Sequence, residues 1–381
     1  MNFIPLLIFW SLWFLNFCAR TVLSPLLPVI EDEFLVSHAL AGALFFCLSI
    51  GYTIAVFLSG LLSIHVGYKR SIVLGLIILV ASLFSLKYAY SYGYLAVCLF
   101  FIGAGTGIYL PCAIPLLTLI YSEGNWGKAI AFHETAASLS ILAIPIITAS
   151  ALKVVSWRLL FVLMGAACAV ALVAFMKFVP DMIQHREGRA GLSALLRRRH
   201  FWIMTVLWVT AAINAMGIYN ILPLFLIKEK GLAFDSANTL FGVSRAGGLL
   251  VIVLIGFLLD RYSIKKILTA TFLMMGISTM GLALAPNQWL LAAMLVAQAT
   301  ISTMFFPAGI MAIAKSADPQ ERSVFTGVIV GISSIFGIGI APTVLGAIAD
   351  RRDFLSGILG LGILTMASVI LTRKLEDTES P

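Results

Sequence analysis

Two arginines and a histidine–glutamate pair stand inside long apolar runs of this chain. Arg20 lies in NFCARTVLSPLLPVIEDE, residues 16–33, Arg245 lies in GVSRAGGLL, and His133 and Glu134 lie in AFHETAAS. A guanidinium in hydrocarbon costs at least a few kcal/mol on insertion scales, so each arginine is expected to face protein interior or a wet cavity. Two cations in one such cavity repel unless an anion joins them. A carboxylate, phosphate or other oxyanion accepts paired N–H bonds from the guanidinium fork, and these bonds are strong where water is scarce. A histidine beside a carboxylate can take up and release a proton near neutral pH, so His133 or Glu134 is a candidate for proton coupling.

Spacing supports the first site. Trp13, Asn16, Arg20 and Ser24 recur every three or four residues and share one face of a helix. Arg245 follows the start of its run, near Asp235, by about ten residues, or about 15 Å of helix, which is close to mid-bilayer. His133 lies about 8 Å of helix beyond Lys128, in the inner third of the membrane. Bland readings stay open beside these. Arg20 could snorkel outward or pair with Glu31, Asp32 or Glu33; Arg245 could neutralise an internal acid; His133 and Glu134 could form an inter-helix hydrogen bond that orders an inner gate. Tyr109, Asn214, Tyr219, Asn220 and Gln298 are further candidates for a cavity wall, with Phe305 and Phe306 as its apolar side. Each of these could equally be ordinary helix packing.

The elements that must hold these groups are membrane helices. The 381 residues are 61% hydrophobic and 11% charged. A soluble domain of this length cannot hide that much apolar surface, whereas a polytopic membrane protein presents it to lipid. The net charge of +8 comes from short loops and forms no continuous patch, which argues against nucleic acid as a partner. Five cysteines lie in apolar runs without ligand spacing, so neither disulfide nor metal is expected. The G-x-G-x-G of FIGAGTGIY lies inside an apolar run with no following lysine and is expected to serve close helix packing, not a nucleotide. No nucleophile–base pair is evident. An enzyme is not expected, and no cofactor. The first run lacks a basic leader and contains Arg20, so it is expected to be a retained span.

Runs of about 20 residues give roughly twelve spans, centred near Leu15, Ser49, Ile78, Gly103, Ser138, Gly165, Thr210, Leu249, Met275, Leu295, Gly331 and Ile363. The polar stretch from Asp181 to His200 separates six from six. The expected organisation is therefore a bundle over 1–178, a cytoplasmic linker over 179–200, and a second bundle over 201–381 with a short cytoplasmic tail. Lysine and arginine concentrate in the loops that would be cytoplasmic if both termini are inside. The halves also repeat. GLLSIHVGYKR begins at Gly60 and GFLLDRYSIKK at Gly256, an offset of 256 − 60 = 196; the same shift takes Pro111 to Pro307, and a shift of one more takes Pro145 to Pro342. Such a displacement implies two parallel, pseudo-symmetric six-helix bundles, with a substrate site between them. The same shift takes Arg20 to Met216 and returns Arg245 to Ser49, so each half carries one unmatched arginine. Pro111, Pro145, Pro223, Pro307 and Pro342 are expected to bend spans.

These residues resemble the major facilitator superfamily over the whole chain. Its loop signature, G-x-x-x-D-R/K-x-G-R/K-R/K, is similar to Gly256, Asp260, Arg261, Lys265 and Lys266. The first copy keeps Gly60, Gly67, Lys69 and Arg70 but has Ile64 in place of the acid. The resemblance implies an all-α, twelve-helix transporter with these residues at a cytoplasmic gate. The fourth span, CLFFIGAGTG, lacks the arginine that the family often uses in proton coupling. The context R-x-x-x-S-P-x-x-P-x-I-x-x-E around Arg20 is similar to that of organic anion symporters, whose arginine there contacts substrate carboxylate. An arginine in the eighth span is similar to oxalate, monocarboxylate and nitrate carriers. The expectation is a secondary transporter of a small organic anion, a carboxylate, coupled to a proton. It would be a monomer in a prokaryotic plasma or inner membrane. The alternatives are an exporter of drug-like or amphipathic molecules, an inorganic anion carrier, and a transport-dead receptor.

Overall fold

The computed structural model describes residues 3–182, 197–316 and 322–375. Regular structure among the described residues is entirely helical. Among the described residues eleven helices are long and apolar enough to cross a membrane, from Phe3–Phe34 to Phe354–Thr372. The remaining expected span, around Leu249, is built from two helices, Phe234–Val243 and Ala246–Arg261. They meet at Arg245, whose N–H bonds the Gly242 carbonyl at 3.0 Å, three residues back instead of four. That tightening is a 3₁₀-type turn and it interrupts the helix at the arginine.

Proline explains most other irregularities, because its ring removes an N–H and crowds the carbonyl four residues back. Ahead of Pro25 the first span breaks at Val22, between Phe3–Thr21 and Leu23–Phe34. Ahead of Pro111 the fourth breaks at Ile108, between Tyr92–Gly107 and Tyr109–Ile120. Wide turns at Ile213–Gly217 and Phe225–Glu229 flank Pro223, and another at Ile335–Ile340 precedes Pro342. The Ile338 carbonyl, which Pro342 leaves without its usual donor, accepts instead from Asn220 Nδ2 at 3.1 Å. Pro145 and Pro307, expected to bend their spans, sit inside the unbroken helices Glu123–Ala151 and Gln288–Ser316.

The chain forms two compact units, Met1–Val36 with Leu44–Glu187, and Ser37–Ala43 with Gly188–Pro381. In the first, the third span packs on the fourth and sixth and the first packs on the fifth; in the second, the ninth packs on the tenth and twelfth and the seventh on the eleventh. Adding six to each span number carries one set of partners into the other, the topology of a parallel repeat. Gly103, Gly105 and Gly107 let backbones touch. A Cβ on them would lie 2.0 Å from the Leu48 carbonyl, 2.7 Å from that of Gly75 and 2.4 Å from that of Tyr52. The second unit also holds the first turn of the helix His38–Val66, where Asp350 accepts the N–H groups of His38 and Ala39 at 2.9 Å each.

Corresponding carboxylates fasten each bundle. Glu33 ends the first span and binds Arg158 and the Trp157 indole at the start of the sixth. Glu229, at 33 + 196, ends the seventh and accepts the backbone N–H groups of Phe354 and Leu355 at the start of the twelfth. The next turn corresponds too: Leu35 and Gly231, again 196 apart, both take left-handed backbone angles, with φ of 51° and 68°.

Candidate functional site

Arg20 occupies the last turn of Phe3–Thr21, just before the break at Val22. Its guanidinium carbon lies 4.2 Å from the centre of the Phe17 ring, 4.8 Å from that of Tyr52 on the second span and 5.6 Å from that of Trp13. Arg245 stands over Phe241 at 5.1 Å and over Tyr219, on the seventh span, at 5.0 Å. Cation–π contact of this kind holds a desolvated guanidinium with about 2 kcal/mol. In both residues Nε and Nη2 are buried without a hydrogen-bond partner. Those two atoms form one edge of the guanidinium fork, whose parallel N–H bonds match the two oxygens of a carboxylate. Neither arginine makes an ion pair with a described carboxylate. Glu33, a partner considered for Arg20, is held by Arg158.

The two cages are built alike with the roles exchanged. Arg20 and Met216 correspond, and Tyr219 follows Met216 by three residues; Ser49 and Arg245 correspond, and Tyr52 follows Ser49 by three. Each half therefore places one arginine against one tyrosine across its first two spans. The arginine is on the leading span in the first half and on the second in the other.

His133 is wholly buried and Glu134 beside it is 48% exposed. The imidazole Nδ1 lies 3.0 Å from Glu134 Oε1, and Nε2 lies 3.1 Å from the Tyr109 hydroxyl, which donates to the Phe9 carbonyl at 2.8 Å. Trp13 stacks on both the Tyr109 and His133 rings, at 5.3 Å from each. One aromatic stack on the first span thus runs from this pair to the Arg20 cage.

The other expected residues divide. Tyr219 belongs to the Arg245 cage. Asn16 donates to the Thr106 carbonyl at 3.0 Å, and its Oδ1, one helical turn from Arg20, is buried without a partner. Tyr109 has its hydroxyl engaged with Phe9 and His133. Asn214 is a tie between helices: its amide donates to the Thr210 carbonyl and Thr365 Oγ1, its Oδ1 accepts from Thr279, and its own carbonyl accepts from Gln298. Asn220 supports the Ile338 carbonyl. Phe305, expected on an apolar wall, lies fully buried in the core of the second unit against Trp208 and Phe272, and Phe306 packs against that core.

At the loop signature expected to form a gate, Lys69 donates to the Met176 carbonyl near the end of the sixth span, and Arg70 approaches Asp181 at 3.8 Å with both side chains largely exposed. An exposed pair of that geometry contributes under about 1 kcal/mol. Gly67 takes φ of 87° at the turn, a conformation that favours glycine, while Gly60 faces open space. Arg261 and Lys266 are exposed at the end of the eighth span and the start of the ninth, with Lys265 half-buried between them. The side chain of Asp260 and the position of Gly256 lie outside the residues whose surroundings are described.

Sequence reasoning missed Tyr52 and the aromatic cages. Both signals were present: Trp13, Phe17 and Arg20 share a helix face, and Tyr52 stands three residues beyond the repeat position of Arg245.

The chain matches the model of the Major Facilitator Superfamily over residues 9–329 and 207–381. It is similar to the MFS-type transporter YceJ of Bacillus subtilis (strain 168), with 24% identity over 391 aligned positions covering 97% of this chain and 96% of that protein. It is also similar to the hexuronate transporter of the same organism, with 26% identity over 282 positions, 66% of this chain and 63% of that one. The solved structure of a D-xylose–proton symporter superposes with a TM-score of 0.82 at 15% identity, covering 100% of this chain and 99% of the other. At that identity the likeness establishes the fold.

Proposed function

The chain belongs to the major facilitator superfamily of membrane transporters, and from that premise we propose that it carries a small organic anion, a carboxylate, recognised by Arg20 and Arg245 and coupled to a proton through His133 and Glu134. One observation carries the reading: in each half a buried guanidinium has its faces against aromatic rings and its Nε–Nη2 edge without a partner. A buried hydrogen-bonding group left unmade costs about 1–3 kcal/mol, and more when charged, so an anion docking on these edges satisfies donors that the fold leaves unused. The aromatic walls hold the edge in place and exclude water, which strengthens such bonds. A hexuronate is a sugar carboxylate, so the similarity to a hexuronate transporter is in keeping with this cargo. The side-chain Oδ1 of Asn16 is a natural acceptor for a hydroxyl on the same solute. In this reading the protein is a monomer of a prokaryotic inner membrane with both termini in the cytoplasm, and transport proceeds by alternating access.

Uptake by proteoliposomes tests it, screened over monocarboxylates, dicarboxylates, hexuronates, phosphate esters and nitrate, with and without a pH gradient. Arg20→Ala and Arg245→Ala should each weaken binding of one carboxylate by about 100-fold, the worth of a charge-assisted bidentate pair. Arg→Lys at either site should recover only part of that, because an ammonium cannot present a fork. Carboxylate flux at wild-type rates in both alanine variants would sink the reading, and efflux of apolar cations indifferent to them would favour an exporter.

A further inference from the structure

The hydrogen bonds around His133 can be counted proton by proton. A phenol has one hydrogen, and that of Tyr109 lies on the Phe9 carbonyl. Toward His133 the hydroxyl oxygen is therefore an acceptor, which requires a proton on Nε2. On the other side Nδ1 meets Glu134 Oε1 at 3.0 Å, and that contact also needs a proton, on one atom or the other. The arrangement thus holds one proton more than a neutral imidazole beside a carboxylate. When that proton leaves, the carboxylate retains the remaining one on Nδ1 and Nε2 becomes an acceptor. Its available donor is the Tyr109 hydroxyl, which must then turn from Phe9 to His133.

We propose that Tyr109 is a positioning residue that reports the protonation of His133 to the first span. With the proton bound, the hydroxyl ties the fourth span to the Phe9 carbonyl. With the proton released, it ties the fourth span to the fifth and frees the helix that carries Trp13, Asn16 and Arg20. Glu134, half-exposed, is the outlet through which the proton enters and leaves. Among the described residues the titratable groups in contact with His133 are Tyr109 on the fourth span and Glu134 beside it, while the first span presents Trp13 to the ring. The acids Glu31, Asp32 and Glu33 end the first span about 30 Å of helix beyond Phe9.

The second half shows that the scaffold does not need this arrangement. A shift of 196 takes Tyr109 to Phe305, His133 to Ile329 and Glu134 to Val330; a shift of 197, which the Pro145 and Pro342 alignment also allows, takes the latter two to Val330 and Gly331. Phe305 and Ile329 are fully buried in one apolar cluster, with Val330 packed against it. The same place in the repeat is filled by hydrocarbon, so its polar counterpart is there for something other than packing.

This inference rests on the proposed proton coupling, and its test separates the two. Tyr109→Phe keeps the ring in its stack and removes the hydroxyl. Hydrogen exchange of peptides from residues 3–21, corrected for intrinsic rates, is followed in substrate-free protein in nanodiscs across pH 5–8, the range in which histidine titrates. The wild type should show a step in protection of about fivefold, the equilibrium factor of one net hydrogen bond. Tyr109→Phe and His133→Gln should both be flat. In parallel, binding of labelled glucuronate should depend on pH in the wild type and lose that dependence in Tyr109→Phe. A step that persists in Tyr109→Phe overturns the proposal. Absence of glucuronate binding alongside an intact, Tyr109-dependent step would instead overturn the substrate reading and leave the relay standing.

Discussion

The two halves share helix partners, a fastening carboxylate at 33 and 229, and a left-handed turn at 35 and 231, yet they differ wherever a side chain could do chemistry. In the first half the first, fourth and fifth spans meet at Tyr109, His133 and Glu134. In the second the corresponding ground is Phe305, Ile329 and Val330. The second half keeps its polar interior elsewhere, at Asn214, where the side-chain amide and Oδ1 are hydrogen-bonded to neighbouring groups. At this place in the repeat one bundle carries titratable groups and the other hydrocarbon, while each retains an arginine–tyrosine pair with the order reversed. The difference separates what the fold requires from what was added to it: the apolar half is the scaffold's own solution.

That comparison breaks most visibly if the first half is rewritten in the letters of the second. A Tyr109→Phe, His133→Ile, Glu134→Val triple variant should keep or raise thermal stability, since replacing a buried polar network by well-packed apolar groups is often neutral or stabilising by about 1–4 kcal/mol. It should lose proton-driven accumulation altogether while substrate exchange, which moves no net proton, survives. Tm in detergent and paired uptake and counterflow assays read the two outcomes. A large fall in Tm would mean that the network is structural and that the halves are not equivalent there.

Much of this division was legible in the residues. Apolar run length placed all twelve expected spans, because a bilayer imposes length directly, and even the interrupted eighth span was countable since composition ignores a local 3₁₀ turn. Arg20, Arg245, His133 and Glu134 stood out because charge in an apolar run has few explanations. Less legible was which neutral polar side chain faces another helix. Asn214 and Tyr109 carry the same hydrogen-bonding groups whether they meet a solute or a neighbouring span, and the bonds to Thr279, Thr365 and Phe9 are visible only in three dimensions. Tyr52 escaped because a tyrosine in a membrane span is unremarkable until a guanidinium is found above its ring. Pro145 and Pro307 lie inside continuous helices, so a proline in the sequence does not by itself mark where a span is interrupted.

The fastening carboxylates offer a finer test. Glu229 caps two backbone N–H groups that a helix start leaves unpaired, whereas Glu33 meets a partly exposed arginine and an indole. Removing a cap costs about 1 kcal/mol and up to 2. Glu33 itself is 38% exposed, and an ion pair with one solvent-exposed member contributes less than about 1 kcal/mol. Glu229→Ala should therefore lower Tm by more than Glu33→Ala, with amide exchange accelerated in the first turn of the twelfth span only in the former. Equal losses would mean that the two halves fasten their last span with equal strength despite different chemistry.

The smallest expected difference is at the turn that follows. Gly231 takes its positive φ without steric cost, but Leu35, at the same place in the repeat, brings a Cβ against the following carbonyl, a strain of roughly 1–2 kcal/mol for an L-residue. Its side chain is 90% exposed, so no burial offsets that strain. Glycine at this position would relieve it, while the greater freedom of glycine in the unfolded chain takes back about 0.4–1 kcal/mol. Leu35→Gly should therefore raise stability by a net of about 0.5 kcal/mol. The converse change, Gly231→Leu, should lower it by a comparable amount, both read as Tm shifts of opposite sign in the same detergent. If Leu35→Gly destabilises, the leucine makes an interaction at the membrane surface that its exposure conceals, and the two turns are alike in backbone alone.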